Sequence, residues 1–311
     1  MYDLNHLAKH LQSASLKKKD ATFIHLHENN QLISFEDFFQ NAEKIASALI
    51  SAGIRPGDRV AMQVEKSSSA IELYFGTILA GAGFLPLNTA YVAEEIDFFL
   101  RDARPSIFVC DPSKLNNYTK IAESSGISHI WTLSAEGTGS LIDAKNAESP
   151  GFTGVKRNPD DLAAVLYTSG TTGHSKGAML THMNLQSNAE ALVNCWQFTD
   201  EDFLIHALPL YHTHGLFVAT NVSLMAGSSM LLMKNFDADA ICRRMPHASV
   251  LMGVPTFYVR LLEHPDLENA AKKIRLFVSG SAPMLPQTHA LWKERTGQAC
   301  LLYTSPSPRD A

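Results

Sequence analysis

The sequence predicts an α/β protein in which short parallel strands are covered by helices. Three observations carry this. Between residues 34 and 110 helix-period apolar patterns alternate with short apolar runs, the rhythm of βαβ crossovers. The run 162–166 leads straight into a loop of glycines and hydroxyl residues that contains one lysine. With 311 residues, 45% hydrophobic and 18% charged, the chain is long enough for one large or two ordinary domains with a sizeable core.

The elements follow in order. Ser34 opens a capping box with Asp37, and Phe35, Phe38, Phe39, Ala42, Ile45, Ala46, Leu49 and Ile50 recur at helical spacing until Gly53 stops the helix. After the turn Arg55-Pro56-Gly57-Asp58, residues 59–64 read as strand, 69–80 as helix and 84–87 as a further apolar segment. A helix over 93–102 then leads through Pro105 to a strand at 107–110. Residues 134–160 are rich in Gly, Ser, Asn and Pro and predict a surface connection, so the expected subdomains are 1–150 and 151–299. Beyond the glycine loop, 181–196 reads as helix and 203–208 as a strand that ends in Pro209-Leu210-Tyr211-His212-Thr213-His214-Gly215. Residues 255–262 open a helix at a proline, and 277–284 read as strand then turn. There is no internal repeat and no low-complexity tract.

Composition excludes several classes. A net charge of −5 leaves no cationic surplus to neutralise nucleic-acid phosphates. No segment reaches the roughly 18 uninterrupted apolar residues of a spanning helix, and residues 1–19 form no address signal, so no membrane partner is expected. Cys110, Cys195, Cys242 and Cys300 lie far apart without a C-x-x-C pair. That spacing predicts neither zinc site nor disulfide framework and fits a reducing cytoplasm. His212 and His214 stand two apart, yet no neighbouring Cys or carboxylate completes a metal site.

The loop Tyr167-Thr168-Ser169-Gly170-Thr171-Thr172-Gly173-His174-Ser175-Lys176-Gly177 is built to wrap polyphosphate. Its glycines permit close backbone approach, the hydroxyls of Thr168, Ser169, Thr171 and Thr172 can donate to phosphate oxygens, and Lys176 supplies a cation. A Walker A loop needs glycine before its lysine and Ser or Thr after it, whereas Ser175 precedes Lys176 and Gly177 follows. A dinucleotide fingerprint needs two glycines separated by one residue, and Gly170, Gly173 and Gly177 do not provide that. The alternative is a solvated Gly/Ser/Thr linker, which rarely places a lysine and a flanking strand so regularly. The loop closely resembles the [ST]-S-G-[ST]-T-G-x-[PS]-K-G signature of the acyl-adenylate-forming, AMP-binding enzymes.

Further segments carry the same resemblance: Leu79-Ala80-Gly81-Ala82-Gly83-Phe84-Leu85-Pro86-Leu87-Asn88, Val254-Pro255-Thr256-Phe257-Tyr258 and Ser279-Gly280-Ser281-Ala282-Pro283-Met284. The resemblance implies the large N-terminal domain of that fold, incomplete at its C-terminal end, using ATP, Mg2+ and CoA. It implies Lys176, Thr171 and His212 as catalytic residues, with Thr168, Ser169, Gly170, Thr171, Thr172, Gly173, Lys176, Ala282 and Pro283 at ATP. Tyr211, His212, His214, Ser279, Gly280 and Ser281 would border the acyl group. Arg260 is open between two readings. A guanidinium binds a carboxylate bidentately and would suit a substrate that keeps a second carboxylate after activation, or it is a solvated helix-surface residue. Together with the run 208–218, the closest subfamily resemblance is to malonyl-CoA synthetases. A monocarboxylate ligase of medium-chain or 4-coumarate type and a non-catalytic nucleotide-binding chain remain as alternatives.

The resemblance runs over residues 20–299. Where the family continues into an E-x-Y-G-x-T-E segment, this chain reads Cys300-Leu301-Leu302-Tyr303-Thr304-Ser305-Pro306-Ser307-Pro308-Arg309-Asp310-Ala311, which equals one frame of a transposase sequencing adapter. Residues 300–311 are therefore expected to be an artefactual tail outside the fold. The family's ribose-binding aspartate, hinge and C-terminal lysine would lie beyond 299.

Overall fold

The computed structural model describes residues 1–127, 129–168 and 175–303. After a short helix, His6–Gln12, the chain forms its opening hairpin, β1 (Thr22–Leu26) antiparallel to β2 (Leu32–Ser34). β3 (Arg59–Gln63), β4 (Gly83–Pro86), β5 (Ile107–Cys110), β6 (His129–Thr132), β7 (Leu162–Thr168) and β8 (Lys176–Thr181) then build a six-stranded sheet in the order β6-β5-β3-β4-β7-β8. β9 (Phe203–His206), β10 (Ser229–Leu232), β11 (Val250–Gly253), β12 (Leu276–Gly280) and β13 (Cys300–Tyr303) join the opening hairpin in a second sheet, β13-β12-β11-β9-β10-β1-β2. Every pairing is parallel except β1–β2 and β7–β8.

Sequence chemistry explains the covering helices. The helix Phe35–Ser51 starts at the Ser34–Asp37 capping box, with Asp37 N–H donating to Ser34 Oγ at 3.0 Å. Its phenylalanines form one stripe and pack on Phe75 of the helix Ser68–Leu79. That second helix is buried from Ser69 to Leu79, as a segment apolar nearly all round must be. Strand side chains sort by parity: Val60 and Met62, Leu204, Met230 and Leu232, Val250 and Met252, and Val278 enter one cluster between the sheets. Their neighbours Ala61 and Phe108 on one sheet, and Ile205, Leu231, Leu251 and Phe277 on the other, enter the two outer clusters. His206 shares the parity of Leu204 and so reaches into the central layer.

The two sheets interleave across residue 150: β7 and β8 complete the six-stranded sheet while the hairpin 22–34 belongs to the seven-stranded one. Pairing across long separations, which local pattern does not encode, sets this interleaving. The stretch 134–160 holds a helix, Ser140–Asn146, whose Lys145 Nζ lies 3.4 Å from buried Glu72 Oε2, so part of it is core contact rather than surface connection. Residues 300–303 occupy a place in the sheet despite the expected tail: Cys300 to Tyr303 pair in parallel register with Phe277 to Gly280, and Cys300 is buried. Residues 304–311 lie outside the described residues.

Candidate functional site

In open parallel sheets, ligands are bound beyond the carboxyl ends of the strands, and there the candidate residues gather. β9 ends at His206 and the chain turns through Pro209 and Tyr211 into a π-helical stretch, His214–Thr220. Wide turns of this kind recur at functional sites. Gly215 is required at its start, since a Cβ there would stand 2.0 Å from the Pro209 carbonyl oxygen. On the neighbouring path, β12 ends at Gly280 and Ser281 adopts φ 69°, a left-handed conformation that is strained for a residue with a side chain.

These two turns meet. His214 Nδ1 lies 3.3 Å from Ser281 Oγ, and burial pushes the His214 imidazole down to about 4, leaving it neutral at pH 7. Tyr211 is half-buried, and burial together with the Glu65 charge pushes its phenol up. Its ring stands edge-on to His212 at 4.7 Å; His212 is exposed at the surface, with desolvation lowering its pKa. Ser279 is buried, and its Oγ has no hydrogen-bond partner among the described residues. Such a hydroxyl costs about 1–3 kcal/mol until a polar group reaches it. Gly280 is buried beside it, whereas Ala282 and Pro283 are exposed on the following turn.

The other candidates stand in separate contacts. Arg260 lies on the helix Pro255–Leu262, is exposed, and places its guanidinium 4.4 Å from the Phe236 ring centroid. Phe236 in turn packs on Phe257 at 4.3 Å. The guanidinium is thus stacked on an aromatic face, and no carboxylate pairs with it among the described residues. Lys176 opens β8 directly opposite Thr168 at the end of β7, and both are exposed at the mouth of the hairpin. Tyr167 anchors that hairpin, its hydroxyl donating to the Asp102 carboxylate and its ring packing on Phe99 at 4.6 Å. Ser169, Gly170, Thr171, Thr172 and Gly173 fall outside the described residues. Two participants escaped the sequence reading, Lys66 and His206; a lysine between a strand and a helix looks like an ordinary solvated turn cation.

Comparison with known proteins places this geometry in a family. Residues 11–305 match the model of the AMP-binding enzymes. The chain belongs to this family. Among curated AMP-binding relatives, it is 26% identical to the mitochondrial malonate–CoA ligase of Xenopus laevis, over 96% of this chain and 54% of that one. It is 32% identical to the oxalate–CoA ligase of Arabidopsis thaliana, over 83% of this chain and 52% of that one. The chain spans about half the length of the curated relatives it matches. Among solved AMP-binding structures, the ATP-bound form of MatB from Rhodopseudomonas palustris overlays with a TM-score of 0.94 at 48% identity, covering 97% of this chain and 59% of that one. The apo form gives 0.92 over 96% and 59%. The fold is therefore that of the N-terminal domain of the acyl-adenylate-forming enzymes.

Proposed function

We propose that this chain carries the phosphate grip and acyl pocket of an ATP-dependent acid:CoA ligase that activates malonate or a similarly small dicarboxylate. In that reaction a carboxylate oxygen attacks the α-phosphorus of ATP, and the bond to the bridging oxygen breaks, releasing pyrophosphate. The CoA sulfur then attacks the acyl carbon, and AMP leaves. Both steps depend on positioning and on offsetting charge where it develops. Lys176 and the hydroxyls of the β7–β8 loop would offset the β- and γ-phosphates, while neutral His214 with Ser281 borders the acyl group. A magnesium ion carried on phosphate oxygens needs one or two protein groups rather than a full cage, and among the described residues no three His, Cys, Asp or Glu converge as one. Its chemistry is to neutralise phosphate charge.

Two observations carry the dicarboxylate reading: relatives are named for malonate and oxalate, both dicarboxylates, and this chain presents a guanidinium at 260, beyond the carboxyl end of β11. The stacking of Arg260 on Phe236 favours the second reading, a monocarboxylate ligase in which the arginine only caps an aromatic surface. The two separate in a chimera that joins residues 1–299 to the remaining sequence of MatB. Arg260→Ala should lower kcat/KM for malonate by an amount equivalent to about 1.5–3 kcal/mol, the range for hydrogen bonds to a charged group, and that for butyrate far less. Equal losses for both acids would make Arg260 structural and move the assignment to the monocarboxylate ligase. Four unpaired cysteines support a reducing compartment, for which we propose the cytoplasm. No helix among the described residues is long and apolar enough to cross a membrane.

A further inference from the structure

Lys66 is a buried lysine of the central layer that forms no ion pair among the described residues. It lies just after β3, immediately before Ser67, the N-cap of the helix Ser68–Leu79. The residue is 7% exposed, and its Nζ reaches His206 Nδ1 at 3.0 Å, the His206 carbonyl oxygen at 2.8 Å and the Leu208 carbonyl oxygen at 2.7 Å. An ammonium offers three N–H groups, and here three acceptors take them. Burial lowers the lysine well below its ordinary range, the Glu28 charge opposing, and no carboxylate among the described residues forms an ion pair with it. Such a cation is retained at a desolvation cost that simple packing would not require.

His206 extends the line. Its Nε2 lies 2.9 Å from the Gly215 carbonyl oxygen. A carbonyl only accepts, so Nε2 bears the hydrogen and Nδ1 is left as the acceptor facing the ammonium. Burial foremost, then the Lys66 charge, keeps this imidazole neutral. The same Gly215 oxygen accepts from Thr220 Oγ1 at 3.2 Å. Gly215 directly follows His214, which meets Ser281. A hydrogen-bonded line therefore runs from the end of β3 in one sheet, through the end of β9 in the other, into the turn 209–215. Lys66 also borders the cavity of about 80 Å3 that Tyr211 lines.

We propose that Lys66 and His206 are positioning residues, the ammonium orienting the imidazole and the imidazole holding Gly215, so that Tyr211 and His214 keep their places at the acyl group. This rests on the reading of that turn as the acyl wall. The test uses the 311-residue chain labelled with 15N, with His206 ring signals identified by their loss in His206→Gln. At pH 7 the wild-type ring should be neutral, with hydrogen on Nε2. In Lys66→Met the Nδ1 resonance should move to the position of an unbonded ring nitrogen and the amides of His214 and Gly215 should shift, while Lys66→Arg, which keeps donors, restores most of both. Hydrogen on Nδ1 in the wild type, or unmoved amides in Lys66→Met, overturns the proposal; the wild-type spectrum decides alone if Lys66→Met does not fold. Malonate added with ATP and magnesium should shift the His214 and Gly215 amides. If it does not while the ring result is as expected, the acyl-wall reading fails and the positioning role falls with it, leaving the hydrogen-bonded line as a structural tie.

Discussion

Replacing Gly215 with alanine should unfold the molecule at markedly lower temperature. An ideal Cβ at this position stands 2.0 Å from the Pro209 oxygen and 2.9 Å from its carbonyl carbon, and both are backbone atoms. Since a relaxed carbon–oxygen contact begins at roughly 3.3 Å, the turn and the π-helical start must part by about 1 Å. Overpacking of this kind costs about 1–3 kcal/mol. The Gly215 oxygen, held at 2.9 Å by His206 Nε2 and 3.2 Å by Thr220 Oγ1, then moves out of good hydrogen-bond geometry. Those two bonds contribute about 1 kcal/mol each. Alanine's better helical propensity returns about 1 kcal/mol, too little to compensate. A net loss of about 2–4 kcal/mol corresponds to a fall in Tm of roughly 3–6 °C for a chain of this size. Thermal melts followed by near-ultraviolet dichroism measure it, with Gly177→Ala as control, because a Cβ there meets only side-chain atoms at 3.1 Å and beyond. A Gly215→Ala melt that overlays the wild type would refute the close approach of Pro209 and Gly215, and with it the geometry assigned to the whole turn.

In the chimera, Lys176→Ala should slow pyrophosphate release by about one to three orders of magnitude, as expected for losing a charge contact in the transition state; unaltered release would remove Lys176 from the phosphate grip. His182 is buried and its Nδ1 accepts from the Leu7 N–H at 3.3 Å, and burial with the Arg157 charge pushes its pKa from 6.5 down to about 4. A depressed folded value contributes stability that is whole above pH 6.5 and is lost as pH falls toward 4, so urea titrations should show a fall of up to about 3 kcal/mol across that window that is absent in His182→Asn. Burial raises the Asp202 carboxyl, but the Arg275 guanidinium, the Thr199 N–H and the Ser249 hydroxyl outweigh it and hold the pKa below the usual 3.8. Arg275→Met should therefore destabilise at neutral pH, and the gap to the wild type should close as pH falls below about 4; a gap that does not vary with pH would assign Arg275 to packing alone.

Local chemistry made much of the fold legible. The Ser34–Asp37 box, the strand at 107–110 and the helix ending at Trp196 stand where capping, apolar runs and periodicity place them. β8 was not legible because it is an edge strand with an exposed face, Met179 being 75% exposed, and so has no buried alternation to read. The pairing of β1 with β10 was hidden for another reason: no local pattern names a partner so far along the chain. The site divides in the same way. The Ser279–Gly280–Ser281 turn and the histidines were singled out by the family resemblance of their segments, while the aromatic partner of Arg260 depends on a loop after β10 that carries no motif. Lys66 and His206 become informative only once two sheets bring them together.

The interleaved sheets have a consequence for how the protein is made. Thr22 accepts from Ser229 Oγ across 207 positions, so the opening hairpin leaves the ribosome long before the strand it will lie against exists. At about 5–20 residues per second that interval is on the order of 10–40 s. During it, the six-stranded sheet can be completed, since β3 to β8 are contiguous in the chain, while Ile24, His25 and Leu26 still lack the β10 strand they will pair with. A nascent chain stalled near residue 200 would thus be part folded and part adhesive, with its N-terminal hairpin the segment a chaperone has most reason to hold.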